Sequence, residues 1–352
     1  MPPSGEFQAT ATDAALEPWS RPPRDARRWT ERTIIVAALA VYAGLLALAW
    51  QAAFKLLPDT LTLRVAGHAL RLANIHDRIA GNALVMLFLL PAALWLECLF
   101  VGWHGSSLRC LFVRPSASMR TDIAFFLLSQ AHLIDLAGKL MMVGASMISG
   151  LLLRDWLRAT FGFEISAAAV PLPLQIALYF FVYSFFDYWT HRIDHTRYFW
   201  PLHRYHHAAR DFCVINANRE HPAAFASLFM INLPMATLGA TPEVMIYVNV
   251  TVTALGFVIH SRIDSDFGWF GRYVLQSPTH HRLHHKLDMS HPTGHFGMAP
   301  IWDRLFGTWY GDADQSLVIG VETPYRHGFW VGADLVRDYW DFWKGFFQRR
   351  AG

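Results

Sequence analysis

Thirteen of the 18 histidines lie between positions 191 and 295, and their spacing is the chain's chief chemical signal. His191-Arg-Ile-Asp-His195 has the pattern HxxxH. His203-Arg-Tyr-His206-His207 and His281-Arg-Leu-His284-His285 both read HxxHH, and His260 stands alone at the end of an apolar run. On a helix, residues three or four apart share a face, so each box points two imidazoles the same way. The adjacent pair in HxxHH diverges by about 100°, so its rings can reach two different cations. The three boxes supply eight imidazoles and His260 a ninth. A tetrahedral zinc site needs only about four ligands, so this many converging nitrogens fit a pair of metals. Imidazole alone leaves zinc, iron, copper and nickel open.

Metal binding also answers an electrostatic problem. Protonated, the cluster would repel itself; neutral and unpaired, its ring nitrogens would be costly to bury. Neutral imidazoles donating lone pairs to a cation remove both costs. Asp187 lies four residues before His191, on its face, and with Asp194, Asp211 and Asp288 is a candidate to hold outer ring N–H groups. His221 and His280 are further candidates beside the boxes, and His291 reads as structural. His68, His76, His104 and His327 read as surface residues, and His132 as a local hydrogen-bonding group in an apolar run. Other catalytic patterns are missing. There is no HExxH, no Glu followed three residues later by His, no GxSxG elbow, no P-loop and no GxGxxG.

These residues sit in a chain of unusual composition. Lys plus Arg is 30 and Asp plus Glu is 27 in 352 residues, a net charge of +3. Charged residues make up 16%, against an ordinary share of about 25%, and apolar residues 53%. Such poverty of charge excludes a disordered chain and argues against a plain soluble domain. The net charge is too near zero for a nucleic-acid partner. Cys98, Cys110 and Cys213, with no CxxC, exclude a disulfide scaffold and a thiolate zinc finger.

Long apolar runs predict membrane helices, since a span needs about 20 mostly apolar residues. Thr33 to Trp50 is uncharged, and Ala83 to Trp103 carries only Glu97. Leu172 to Phe186 is apolar and aromatic. Pro222 to Ile259 breaks near Gly239, Thr241 and Pro242 and reads as a hairpin. Ile123 to Leu153 is long enough, but His132, Asp135 and Lys139 interrupt it; it reads as one span with a polar face or as a partly interfacial helix. Leu61 to Ile79 reads as an amphipathic interfacial segment. The first run lies too far from the start to read as a cleaved signal peptide. Five arginines between Arg21 and Arg32 favour a cytoplasmic N-terminus. An even number of crossings then puts both histidine-rich segments on the cytoplasmic side. The expected fold is all-α: about 4–6 membrane spans with a cytosolic helical lobe carrying a dinuclear metal site. The expected divisions are a disordered tail over 1–30, membrane helices over 31–170, a catalytic domain over 171–310 and an aromatic, amphipathic segment over 311–352.

The boxes, in this order around an apolar hairpin, resemble the fatty acid hydroxylase/sterol desaturase superfamily of integral membrane di-iron enzymes. The resemblance covers roughly Leu172 to Tyr310. It includes Phe186-Asp187-Tyr188-Trp189-Thr190-His191-Arg192, Leu202-His203-Arg204-Tyr205-His206-His207 and Arg219-Glu220-His221-Pro222. It continues through Ser277-Pro278-Thr279-His280-His281-Arg282-Leu283-His284-His285 and Trp302-Asp303-Arg304-Leu305-Phe306-Gly307-Thr308. The close spacing of His195 and His203 separates it from acyl-CoA desaturases. One departure is His295-Phe296-Gly297, where the family often has Asn-Tyr-Gly; His295 then stands for a polar group near the metals or a ligand. By this resemblance, two irons held by His191, His195, His203, His206, His207, His281, His284 and His285, with His260, would activate O2 and hydroxylate an unactivated C–H bond of a lipid. Zinc could occupy the same ligands in a purified sample. The chain shows no fused haem domain of the kind some members carry, so a separate cytochrome or ferredoxin-type electron donor is expected. Within the family the alternative is a sterol or carotenoid desaturase or hydroxylase. Outside it, the alternatives are a membrane zinc transporter, disfavoured because the histidines sit at span ends, and a bis-histidine haem electron carrier.

Overall fold

The computed structural model describes residues 28–56, 58–65, 68–72, 76, 84–131, 133–134, 136–162, 167, 169–224, 226–287, 294–310, 317–328 and 331–347. Most of the 1–30 tail, His132, Asp135, Asp288, His291 and Trp330 therefore lie outside the described residues. The chain opens with α1 (Arg28–Leu56). A two-stranded antiparallel hairpin follows, β1 (Leu61–Val65) and β2 (His68–Leu72), with Leu63 opposite Leu70. Apart from this hairpin, the regular elements among the described residues are helical, as the all-α expectation has it. Leu61, Leu63 and Val65 alternate with Thr62 and Arg64, a period of two that suits a strand rather than a helix.

A π-helical turn (Leu84–Leu89) leads into α2 (Leu90–Val101), followed by α3 (Ser107–Val113) and α4 (Ala117–Gln130). The expected span over 123–153 is instead two helices, because α4 stops at Gln130 and α5 (Leu136–Phe161) starts after Asp135, with Lys139 in its first turn. The helix α6 (Leu172–Asp194) carries the first histidine box and α7 (Trp200–His207) the second. The apolar hairpin is α8 (Ala226–Thr237) and α9 (Pro242–Ile259). Its break has Gly239 in the left-handed region at φ 84, and Thr241 caps α9 by accepting from the Val244 N–H at 3.3 Å. Short α10 (Gly268–Tyr273) precedes α11 (Pro278–His284), which carries the third box, then α12 (Ile301–Leu305) and α13 (Val331–Phe347).

Among the described residues, two helices are long and apolar enough to cross a membrane, Thr30–Ala52 in α1 and α9 itself. The remaining apolar helices support the site from below. α5 lies along α8, and α6 packs against both α8 and α9. Their shared core holds Tyr179, Tyr183, Ile231, Met235, Val244 and Val248. Gly150 lets α5 and α8 touch: a Cβ there would meet the Ala236 Cβ at 2.5 Å and the Leu233 carbonyl at 2.9 Å. Small residues of this kind are what close helix crossings in lipid require. A second core joins α2, α4, α9 and a 3-10 turn (Val214–Asn218) through Leu94, Met119, Phe126, Val214 and Phe257.

Glu97, the one charge in its apolar run, is fully buried and fully engaged. It accepts from the Ser107 N–H at 2.5 Å, the Ser107 hydroxyl at 2.7 Å and the Arg262 N–H at 2.6 Å. A buried carboxylate is tolerated when such donors replace its water. Here it ties α2 to the loop immediately after His260.

Candidate metal centre

Local sequence explains where each box sits. Ser277 caps α11 by accepting from the His280 N–H at 3.2 Å, and Pro278 pre-sets its first turn. The third box therefore occupies the only turns of a short helix, with His285 as its C-cap. His195 and His260 are likewise the C-cap residues of α6 and α9. At a helix end a ring can turn inward without meeting a following helical turn.

The imidazoles gather into two groups. His191, His195, His203, His207 and His284 form one; His206, His260, His281 and His285 form the other. Within each group the potential ligand atoms all lie within 4.8 Å of one another. Both adjacent pairs, His206/His207 and His284/His285, divide between the groups, as the 100° divergence on a helix requires.

The separations are those of ligands around one cation. Nε2 of His203 is 3.1 Å from Nε2 of His191 and 3.2 Å from Nε2 of His207. Nε2 of His260 is 3.3 Å from Nε2 of His206 and 2.9 Å from Nε2 of His281, which is 3.2 Å from Nε2 of His285. With metal–nitrogen bonds of about 2.0–2.1 Å, ligands at tetrahedral or octahedral angles stand roughly 2.8–3.4 Å apart.

Ring orientation is fixed from behind. Nδ1–H donates to the Phe296 carbonyl from His191 at 2.7 Å and to the Arg219 carbonyl from His206 at 3.2 Å. It donates to the Gly256 carbonyl from His260 at 2.8 Å and to the Gly294 carbonyl from His284 at 2.8 Å. His281 donates to the Gln276 side-chain oxygen at 3.1 Å. A ring that donates from Nδ1 carries a bare lone pair on Nε2. These lone pairs face one another in a buried space, and both nitrogens of His195 and Nε2 of His284 have no hydrogen-bond partner. Such an arrangement is repulsive unless cations sit between the rings, so the residues fit two divalent metals.

Burial pushes every one of these imidazoles down from its ordinary pKa. His191 and His260 fall to about 4. The others fall well below the ordinary value through burial and then, in most, through neighbouring imidazoles. Neutral rings are the form that binds metal.

The supports are mostly backbone carbonyls, which residue types do not reveal. Asp187, expected behind His191, instead lines the adjoining cavity, and the Phe296 carbonyl takes the ring N–H. Asp194 accepts from Ser227 at 3.4 Å and Asp211 from Ser116. Burial in the cavity wall raises Asp187 to about 7, with repulsion from Asp194 and Asp303 adding to it.

His221, His280 and His295 lie outside both groups. His221 donates to the Leu335 carbonyl at 3.0 Å. His280 makes a 2.8 Å contact with the Ser277 hydroxyl and stacks on His295. His295 sits at φ 59 and donates from Nε2 to the Tyr310 carbonyl at 2.7 Å. Its own carbonyl accepts from Gln276 at 2.6 Å. Gln276 thus bridges His281 and the 294–297 turn, a role with no signal in the sequence. His327, read as a surface residue, is half-buried, with Nδ1 3.2 Å from the Arg219 guanidinium.

Asp303 secures the same turn. It accepts from the Phe296 N–H at 2.8 Å, the Gly297 N–H at 3.0 Å and the Thr308 hydroxyl at 2.8 Å. The Phe296 and Gly294 carbonyls of this turn are the ones that orient His191 and His284. Arg282 donates to the Ser261 carbonyl at 3.1 Å and the Ile263 carbonyl at 3.0 Å, clamping α11 to the loop after His260.

A cavity of about 370 Å³ opens beside the rings of His191, His203, His206, His260 and His281. One part of its wall is apolar, including Phe125, Leu228, Ile231, Val252 and Phe257, and another carries Asp187, Thr190, Asn218 and Glu220.

The sequence profile of the fatty acid hydroxylase family matches residues 176–308. The chain is also 29% identical to an alkylglycerol monooxygenase of Danio rerio over 140 residues, 39% of this chain and 30% of that protein. The likeness thus covers less than a third of the relative's length. No solved structure matches the chain. The matched segment, residues 176–308, holds all nine converging histidines, and over that segment the chain is similar to the fatty acid hydroxylase family.

Proposed function

We propose that the protein is an O2-dependent lipid hydroxylase working at a pair of irons held by the nine histidines. The observation that carries this reading is the set of bare Nε2 lone pairs converging in two groups beside a partly apolar cavity. His191, His195, His203, His207 and His284 hold one metal; His206, His260, His281 and His285 hold the other. Bound there, the metals supply O2 activation and the oxidation of an unactivated C–H bond. The named relative is a monooxygenase of alkylglycerols; we carry over to this chain the oxidation of a lipid, not the particular substrate.

The protein's own residues bind, orient and exclude water. Phe125, Leu228, Ile231, Val252 and Phe257 receive an acyl or alkyl chain. Thr190, Asn218 and Glu220 hydrogen-bond a polar head group. This places one methylene at the wall formed by His191, His203, His206, His260 and His281. Holding a reactive carbon in such a pose is where most of the protein's contribution lies.

The chain is placed in the membrane as a multi-pass protein, with α1, α9 and the 172–186 part of α6 among its spans. The metal lobe faces the cytoplasm, where a separate cytochrome or ferredoxin-type protein delivers electrons. Iron-loaded protein in lipid nanodiscs, given O2 and a reductant, should yield a lipid heavier by one oxygen. His206→Ala should abolish that product and lower bound metal while membrane insertion persists. A zinc-dependent activity that runs without O2 overturns the reading, and a product lighter by two hydrogens assigns desaturation instead.

A further inference from the structure

The helix α13 (Val331–Phe347) is seated the opposite way round from an ordinary amphipathic helix on a protein. Its acids point inward. Asp338 is fully buried and accepts from Arg204 at 2.6 and 3.0 Å and from the Tyr325 hydroxyl. Asp334 accepts from the Arg326 N–H at 2.5 Å, and Asp341 pairs with Arg204. The outward stripe is Val336, Tyr339, Trp340, Trp343, Phe346 and Phe347, at the three- and four-residue spacing of one helical face. Val336, Trp340, Phe346 and Phe347 are each more than half exposed.

We propose that this face lies in the plane of an anionic bilayer, docking the metal-bearing lobe on the membrane surface. The inference rests on the membrane placement given above and not on the reaction. Three observations choose a bilayer over other occupants. Trp, Tyr and Phe dominate the stripe, and these rings favour the head-group layer. The three acids are turned away from it, while Lys344 is exposed beside it and Arg349 and Arg350 follow in the sequence. That leaves a positive margin suited to anionic head groups. Finally, 17 residues that include Asp334, Arg337, Asp338, Asp341 and Lys344 cannot span a hydrocarbon core that needs about 20 apolar ones.

The docked face is mechanically joined to the site. Arg204, which grips Asp338 and Asp341, lies between His203 and Tyr205 on α7. His221 donates to the Leu335 carbonyl on α13 itself. A helix fixed in the membrane plane thereby fixes the tilt of the second histidine box relative to the lipid.

The test uses the full chain in phosphatidylcholine nanodiscs with and without phosphatidylserine. Val336→Cys and Phe347→Cys, two exposed positions about 16 Å apart along the axis, each carry an environment-sensitive fluorophore. The labelled unsubstituted chain gives the background from Cys98, Cys110 and Cys213. Both labels should lose most of their emission to lipids with a nitroxide near the glycerol and less to lipids with a nitroxide deep in the tail. Aqueous iodide should quench neither, and phosphatidylserine should deepen the lipid quenching. Iodide quenching of both labels overturns the proposal in favour of a solvated face. Unequal depths overturn it in favour of end-on insertion. Energy transfer between labelled copies, in place of lipid quenching, assigns the stripe to self-association. None of these readouts depends on turnover, so failure here is separate from failure of the hydroxylase reading.

Discussion

At the scale of single residues, the chemistry was legible because metal ligands must be particular side chains, whereas the groups that aim them need not be. The boxes and His260 stand out as imidazoles at helical spacing, and the divergence of His206 from His207 follows from helix geometry alone. Four of the five acceptors behind the rings are main-chain carbonyls, and the fifth is Gln276, a residue type common in any loop. Asp187 illustrates the trap: it shares a face with His191 yet lines the cavity, because the 294–297 turn already occupies the space behind that ring. This turn makes a prediction. A Cβ on Gly294 would lie 1.9 Å from the Thr308 carbonyl, and no neighbour can yield that much without moving backbone. Gly294→Ala should displace the carbonyl that orients His284 and lower the stoichiometry of tightly bound metal, measured by elemental analysis. Loss of about 10- to 100-fold in metal affinity is the scale expected for a disturbed outer support. Unchanged affinity would show that His284 is held by its helix alone.

At the scale of elements, apolar runs located the helices well but not their partners or their breaks. The 222–259 hairpin was legible because Gly239, Thr241 and Pro242 are turn chemistry in an otherwise continuous run. The 123–153 run was ambiguous because one polar interruption can face a neighbour in a single helix or end two helices. The β1–β2 hairpin was missed because Leu61 to Ile79 is amphipathic on more than one period. What no run reveals is which helices approach closely. Gly150 on α5 shows its importance only beside Ala236 and Leu233 of α8. Gly150→Leu should force these helices apart and lose about 1–3 kcal/mol, the usual cost of overpacking a close contact. Thermal unfolding in detergent reads the loss. Gly144→Leu serves as the neutral control, because a Cβ at Gly144 would meet nothing within 4 Å. Equal melting of both variants would remove the close crossing from the account.

At the scale of the whole molecule, the site is also a structural knot. The nine histidines come from α6, α7, α9, α11 and their C-caps, and they draw together positions from 191 to 285. Binding free energy at such a site is folding free energy for the lobe. Acid should therefore act on the metal-free chain in a definite direction. In the unfolded chain a histidine titrates near about 6.5, whereas folded His191 and His260 hold a proton only below about 4. Between those values the unfolded state binds more protons, so stability is full above about pH 6.5 and falls as pH drops toward 4. For His260, which is almost wholly buried, the difference amounts to about 3 kcal/mol at the low end. Metal on the same Nε2 lone pairs binds the folded state and not the unfolded one, so loaded protein should melt higher than chelator-treated protein throughout this range. Melting curves of the two forms from neutral pH down to about pH 4 make the comparison. Coincident curves would mean that the converging rings bind no metal of consequence, whereas a gap that holds down to about pH 4, where protons begin to take the ring nitrogens, follows only if cations join the four helices.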